Sequence, residues 1–273
     1  MTLVTFTLVR HSESEANASL ENKIGGQNLA ATLTKNGEKQ AEALGTHFKN
    51  EHVVFTQAYC STALRTQKTA EICLGTMGCN LPVYFDDQLL EQSAGGWEGQ
   101  SRDIYNRSDV RQALDSDNWN YIPGDLVPGE SQKMVTERMR RWVEKKVKEL
   151  SAANESQHIV VFTHGLGIKF LLAVLLDLER SKAYCMPIDN ASITQLCYQD
   201  RQMLPISIIN YTGHLRETMV SQQKKAKADV DPMDQSSETP FNFTGDQENE
   251  YRNALELFAD QYDRIRKTPA NRY

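Results

Sequence analysis

The spacing of apolar residues along the chain changes several times before residue 215. Thr2 to Val9 is dense in valine, leucine and threonine and predicts a strand that ends at Arg10. Thr34 to Lys49 has helical spacing instead: Ala41, Leu44, Gly45 and Phe48 share one face, and Thr34 stands where a cap is needed. The alternation continues with a strand over Val53 to Cys60, a helix over Ala63 to Leu74 and a short strand over Val83 to Phe85. Helices are expected around Asp103 to Leu114 and Ser131 to Leu150, then a strand over His158 to Thr163 and an apolar helix over Gly165 to Leu176. Ile193 to Tyr198 and Ile206 to Asn210 predict late strands. Strands that alternate with helices imply an α/β three-layer sandwich, a mostly parallel mixed sheet with helices on both faces.

The pattern changes after Leu215. Residues 219–250 are mainly Gln, Lys, Asp, Ser, Asn and Glu, too polar to bury a core, with a small apolar island at Thr239 to Gly245. Tyr251, Leu255, Phe258, Tyr262 and Ile265 then return to one helical face. The expected division is a domain over 1–216, a flexible linker over 217–250, and a C-terminal amphipathic helix and tail over 251–273. That helix is expected to dock on its own domain, on a second copy in a homo-oligomer, or on a partner.

Composition narrows the function classes. A chain of 273 residues with 40% hydrophobic content can build a core, and its formal charge of −6 argues against nucleic acid or an anionic membrane as the partner. The longest purely apolar run, Phe170 to Leu176, is far too short to cross a bilayer. The five cysteines are odd in number and lack a CxxC spacing, so they read as reduced thiols and not as a disulfide framework or a zinc site. With no basic n-region at the N-terminus, the expected location is cytoplasmic.

The candidate chemistry lies just past the strands, where open α/β sheets bind ligands. The first strand delivers Arg10 and His11. The second delivers Ser61, with Arg65 one helical turn on, and the fourth delivers His164 and Gly165. Glu91 follows the third strand, ahead of Gly95-Gly96-Trp97-Glu98-Gly99. Arginines fit phosphate oxygens through paired donors, a neutral imidazole can attack a phosphoryl group, and a carboxylic acid can protonate the departing alkoxide. Taken singly, each residue has an ordinary reading. Arg10-His11 could be a satisfied strand end, His164 a helix cap, Glu91 a surface acid, Arg65 its ion-pair partner and Trp97 core. His47 and His52 read as solvated, His158 as exposed, and His214 as a structural partner of the last strand. It is the joint placement that points to phosphoryl transfer through a phosphohistidine.

The segments LVRHSESEAN (8–17), LTKNGEKQA (33–41), CSTALRTQKTA (60–70) and LLEQSAGGWEG (89–99), with PGES (128–131), VVFTHGLGIKFLL (160–172), DNASITQL (189–196) and INYTGHL (209–215), follow in a telling order. Together they resemble the motif series of the histidine phosphatase superfamily, in its phosphoglycerate mutase-like branch (branch 1), over roughly residues 3–215. The resemblance implies a phosphoglycerate mutase-like fold and a metal-independent phosphatase without a cofactor, acting on a phosphorylated small molecule or a phosphoprotein. It implies His11 as the phosphorylated nucleophile, Arg10, Arg65 and His164 around the phosphate, Asn17 adding an amide contact, and Glu91 as proton donor and later base. Gly25 or Gly26 would offer backbone to the substrate, and Gly165 a close-approach backbone beside His164. Mutases of the branch usually carry a longer stretch between the acid and the GES motif, so the compact Gln92 to Pro128 segment points to water as acceptor. Two features depart from the pattern. Ser12 stands where the family usually has glycine, and PGES stands where two glycines are common, a difference expected to affect a loop and not the pocket. A serine hydrolase lacks its GxSxG elbow here. A catalytically impaired phosphate-binding or scaffold protein is the alternative that Ser12 and the tail suggest.

Overall fold

The fold rests on how strand β1 (Leu3–Arg10) shares its side chains between two faces. Val4, Phe6 and Leu8 enter one apolar cluster, while Val9 enters another. The computed structural model describes residues 2–18, 22–153, 155–178, 183 and 186–215. The expected linker over 217–250 and the helix over 251–273 lie outside them.

The elements in chain order are β1, the short α1 (Glu15–Ala18), α2 (Lys35–Asn50), β2 (Gln57–Cys60), α3 (Leu64–Met77), β3 (Val83–Phe85), α4 (Ser108–Asp117) and α5 (Gln132–Ser151). They continue with β4 (Gln157–Thr163), α6 (Gly165–Leu175), β5 (Ile193–Gln199), β6 (Gln202–Met203) and β7 (Ile208–Tyr211). These seven strands form one sheet ordered β3-β2-β4-β1-β5-β6, with β7 also paired to β5. The β1-β4, β2-β4 and β2-β3 pairs are parallel, and β5 joins β1 antiparallel. Helices α5 and α6 pack on the face carrying Phe6, Ile159 and Val161, and α2 and α3 on the face carrying Ala58, Val160 and Phe162. The mixed sheet between two helical layers matches the expected α/β sandwich.

Local chemistry sets the ends of the elements. The Thr34 hydroxyl accepts from the Gly37 N–H at 2.9 Å to cap α2, and Ser131 caps α5 through the Met134 N–H at 3.2 Å. Gly37 is also a steric requirement, since a Cβ there would lie 1.9 Å from the Glu13 carbonyl oxygen. The strand expected from Val53 begins only at Gln57. The Val53 N–H instead donates to Phe48 O at 2.9 Å to close α2, and Phe55 turns inward against Phe48, so this apolar stretch serves the helix end. The helix expected over 103–114 is split: a 3₁₀ turn covers Arg102–Asn106, and Arg107, extended at ψ 138°, separates it from α4.

Two histidines are placed differently from the expectation. His158 is half-buried, its Nε2 2.8 Å from Thr7 Oγ1 and its ring 4.8 Å from that of Phe55. It lies inside β4, where the neighbouring β1 offers a hydroxyl. His47 stacks on His214 at 5.4 Å and is half-buried, whereas His52 is exposed. His214 donates from Nε2 to Ala191 O at 3.1 Å. No helix among the described residues is long and apolar enough to cross a membrane.

Burial pushes His158 and His214 each down to about 4, against an ordinary value near 6.5. Below about pH 6.5 the unfolded chain binds protons that the folded chain refuses, so stability is lost as pH falls toward 4. The urea midpoint is expected to fall over that interval, and less steeply in His158→Gln. Equal slopes for the two proteins would contradict this.

Candidate active site

Strand register assembles the centre of the site. Arg10 stands opposite Thr163, and Cys60 opposite Phe162, so His11, Ser61 and His164 leave neighbouring parallel strands side by side. The His11 N–H donates to Thr163 O at 2.9 Å. The His11 carbonyl accepts from Ala191 N at 3.2 Å and from Asn190 Nδ2 at 3.0 Å. The backbone of the turn is thus held from both sides.

The His11 ring is 3% exposed, and its Nδ1 lies 2.8 Å from the Ser12 carbonyl oxygen. A carbonyl can only accept, so Nδ1 carries the proton and Nε2 keeps its lone pair. Arg65 Nε donates to that lone pair at 3.3 Å. Burial first, then the Arg65 and Arg10 charges, hold His11 well below its ordinary pKa, so the ring is neutral near pH 7. His164 lies 5.2 Å from His11, ring to ring, and is held well below its ordinary value, chiefly by burial and then by Arg65. Its Nδ1 accepts from Arg65 Nη2 at 3.1 Å, which leaves Nε2–H to donate to Ser61 Oγ at 2.8 Å.

Two guanidinium groups face this pair. Arg65 Nη1 donates to the carbonyls of Gln27 and Asn28, each at 2.8 Å, so one side chain ties the loop around Gly26 to both histidines. Arg10 Nη1 donates to Ile188 O at 2.6 Å, while its buried Nε has no partner. A buried donor without an acceptor is costly, and a bound anion would satisfy it. Glu91 comes from the opposite wall. Its Oε2 accepts from the Leu166 N–H at 3.2 Å, at the start of α6, and its Oε1 from the Gln92 N–H at 3.0 Å.

A cleft of about 280 Å³ joins these groups; Arg10, His11, Arg65, Glu91 and Gly165 line it, as do Asn17, Gly25 and Gly26. His164 is fully buried behind Arg65. Asn17 accepts through Oδ1 from Ser14 and from Asn190 Nδ2, which leaves its own amide nitrogen as the remaining donor. Gly26 has φ +53°, and a Cβ there would strike Glu98, whereas Gly25 has open space around it. A Cβ at Gly165 would approach Arg10 Nε at 3.2 Å, so its small size keeps that arginine close to the start of α6.

Several bracing residues escaped the sequence reading. Glu98 accepts from the Gln27 and Ala94 N–H groups and so shapes the Gly26 loop. Arg138 forms a two-pronged pair with Glu130 at 2.8 and 2.9 Å and donates to Glu91 O at 3.0 Å. Glu130 also accepts from Ser93 N at 3.1 Å, so the PGES loop, where the difference from the family pattern is expected to affect a loop and not the pocket, braces the Glu91 segment. Asp189 and Asn210 are paired through 2.6 and 2.8 Å bonds that set the loop beneath His11. Ser93, Glu98, Glu130 and Asn210 lie within or beside the quoted motifs, and that was their available signal. Arg138 had none, being one of many charges on α5.

The model of the histidine phosphatase superfamily (branch 1) matches residues 6–210. The chain is 29% identical over 227 residues to "Phosphoserine phosphatase 1" of Hydrogenobacter thermophilus, covering 81% of this chain and 99% of that one. It is 29% identical over 224 residues to "Probable phosphoglycerate mutase GpmB" of Erwinia tasmaniensis, covering 80% and 98%. Among solved structures, Bacillus stearothermophilus YhfR aligns at a TM-score of 0.66 and 26% identity, covering 78% of this chain and 99% of that one.

Ser12 is the departure most open to test. It is fully buried and is absent from the residues with positive φ, so glycine's conformational freedom is not required there. Its N–H donates to Thr69 Oγ1 at 3.0 Å, but its own hydroxyl has no partner. Ser12→Ala is therefore expected to raise stability by about 1 kcal/mol, because a stranded buried hydroxyl costs about 1–3 kcal/mol. A lowered urea midpoint would contradict this.

Proposed function

The chain belongs to the histidine phosphatase superfamily (branch 1) and is a phosphatase of that superfamily, and on that premise we propose that it hydrolyses a phosphomonoester through a phosphohistidine formed on His11. The observation that carries this reading is the unprotonated Nε2 of a neutral, buried His11, presented to a cleft whose cations are held by backbone carbonyls. Nε2 would attack phosphorus while the bond from phosphorus to the ester oxygen breaks. Glu91 would give its proton to the departing alkoxide. Water would then attack the phosphohistidine and give a proton to Glu91, releasing phosphate and restoring the imidazole. Arg10 and Arg65 supply positive charge where phosphoryl oxygens would lie, so the reaction needs no divalent cation.

Lowered His11 basicity supports the role, because a protonated ring would have no lone pair with which to attack. Loss of activity on the acid side should therefore begin well below pH 6.5. The compact segment between Glu91 and the PGES loop supports water as the acceptor.

The test is turnover of para-nitrophenyl phosphate in EDTA. The wild-type chain is expected to release phosphate steadily, and His11→Ala to fall to background. Interconversion of phosphoglycerates primed by 2,3-bisphosphoglycerate, outrunning phosphate release, would overturn hydrolysis in favour of a mutase. Glu91→Gln is expected to lower kcat on an alkyl phosphate by about 10²–10⁴-fold. An unchanged kcat on that ester would remove Glu91 from its role as acid.

A further inference from the structure

The main chain of the Arg10-His11 turn hangs on one short loop. Ser192 O accepts from the Arg10 N–H at 3.2 Å, and the Ala191 N–H and Asn190 Nδ2 donate to His11 O at 3.2 and 3.0 Å. Between those contacts stands Ala191, fully buried and with φ +55°. Left-handed backbone is unfavourable for a residue that carries a Cβ, so it persists only where the surrounding structure holds it. Asp189, paired with Asn210, anchors the start of the loop, and His214 anchors its middle.

His214 lies in a 3₁₀ turn (Gly213–Leu215) just past β7. Its Nε2–H donates to Ala191 O at 3.1 Å, while the N–H of the same Ala191 is the donor to His11 O. The two bonds flank one α-carbon, so together they fix the φ and ψ of residue 191. The imidazole has little freedom to turn away from this contact. It stacks on His47 with centroids 5.4 Å apart and planes 20° apart, and the Tyr211 ring lies 5.9 Å from it on β7. Its Nδ1 is buried without a hydrogen-bond partner among the described residues. A hydrocarbon ring would stack on His47 without stranding a nitrogen, so packing alone does not account for a histidine here. What the imidazole adds is the one donor aimed at the strained residue.

We propose that His214 is a positioning residue for the nucleophile: by holding Ala191 in its left-handed conformation, it sets where the His11 main chain, and with it the imidazole, stands in the cleft. The role rests on the phosphatase reading of His11 and adds to it a residue that does not line the cleft.

Two variants of the full chain separate the donor from the ring. His214→Phe keeps a stacking ring and loses the N–H, and its kcat on para-nitrophenyl phosphate is expected to fall about ten- to a hundredfold with KM little changed, as for a small displacement of a reacting group. His214→Gln, whose amide nitrogen can reach the same carbonyl, should recover most of that loss. A ring needed only for packing predicts the reverse order, and that order, or equal losses in both variants, overturns the proposal. The α- and β-carbon chemical shifts of Ala191, which distinguish left-handed from extended backbone, give a readout without turnover. They should move in His214→Phe and stay near the wild-type values in His214→Gln; shifts unmoved in His214→Phe overturn the proposal even where every variant is a phosphatase. A wild-type chain without turnover whose Ala191 shifts follow the expected pattern counts against the hydrolytic reading and for the hold of His214 on the loop.

Discussion

The register of β1 between β4 and β5 is the constraint on which the site depends. Arg10 stands beside Thr163 on one side, and Val9 beside Ile193 on the other. Side chains alternate along a strand, so a slip of one residue would exchange the sheet faces and turn Val4, Phe6 and Leu8 away from α5 and α6. The apolar pattern therefore does two things at once. It builds the core, and it decides which strand end presents a histidine beside the next.

What the register brings together is electrostatically uncomfortable. Arg10 and Arg65 are taken largely out of water, which lowers the pKa of both, yet guanidinium groups remain charged. Their hydrogen bonds go to main-chain oxygens at Ile188, Gln27 and Asn28, while Glu91 acts on both as a countercharge, Asp189 on Arg10 and Glu98 on Arg65. The neighbouring histidines respond by staying neutral. Such a cluster is tolerated when surrounding structure holds it, and Glu98, Glu130 with Arg138, and Asp189 with Asn210 do so from three directions.

Much of the sandwich could be read from periodicity, because β1, β4, α2, α5 and α6 each bury a stripe or face that repeats in sequence. The failures have physical causes. Val53 and Phe55 look like strand residues, but the end of α2 recruits them, and pattern alone does not distinguish a helix-closing contact from a ladder. The sequence around His158 predicts exposure, since nothing local reveals the Thr7 hydroxyl on the next strand. Arg10, His11, Arg65 and Glu91, which the structure brings to one cleft, stand out in the sequence because they follow predicted strands. Arg138 could not, because its partners, the Glu91 carbonyl and the Glu130 carboxylate, are brought to it by folding. The glycine of LTKNGEKQA acquires a reason only in three dimensions, where Gly37 passes against the backbone of Glu13, two residues from His11.

The contact from Arg65 Nε to His11 Nε2 has a consequence for reactivity in the resting protein. A neutral imidazole with an open lone pair is prey to any small electrophile that diffuses in. Here that lone pair is latched by a donor which also carries the charge an incoming dianion would seek. An anion that draws the guanidinium onto its own oxygens unlatches the nitrogen in the same motion, whereas an uncharged alkylating agent finds it closed. The lone pair of His11 is thus covered until an anion arrives, and the group that covers it is one an anion would draw away.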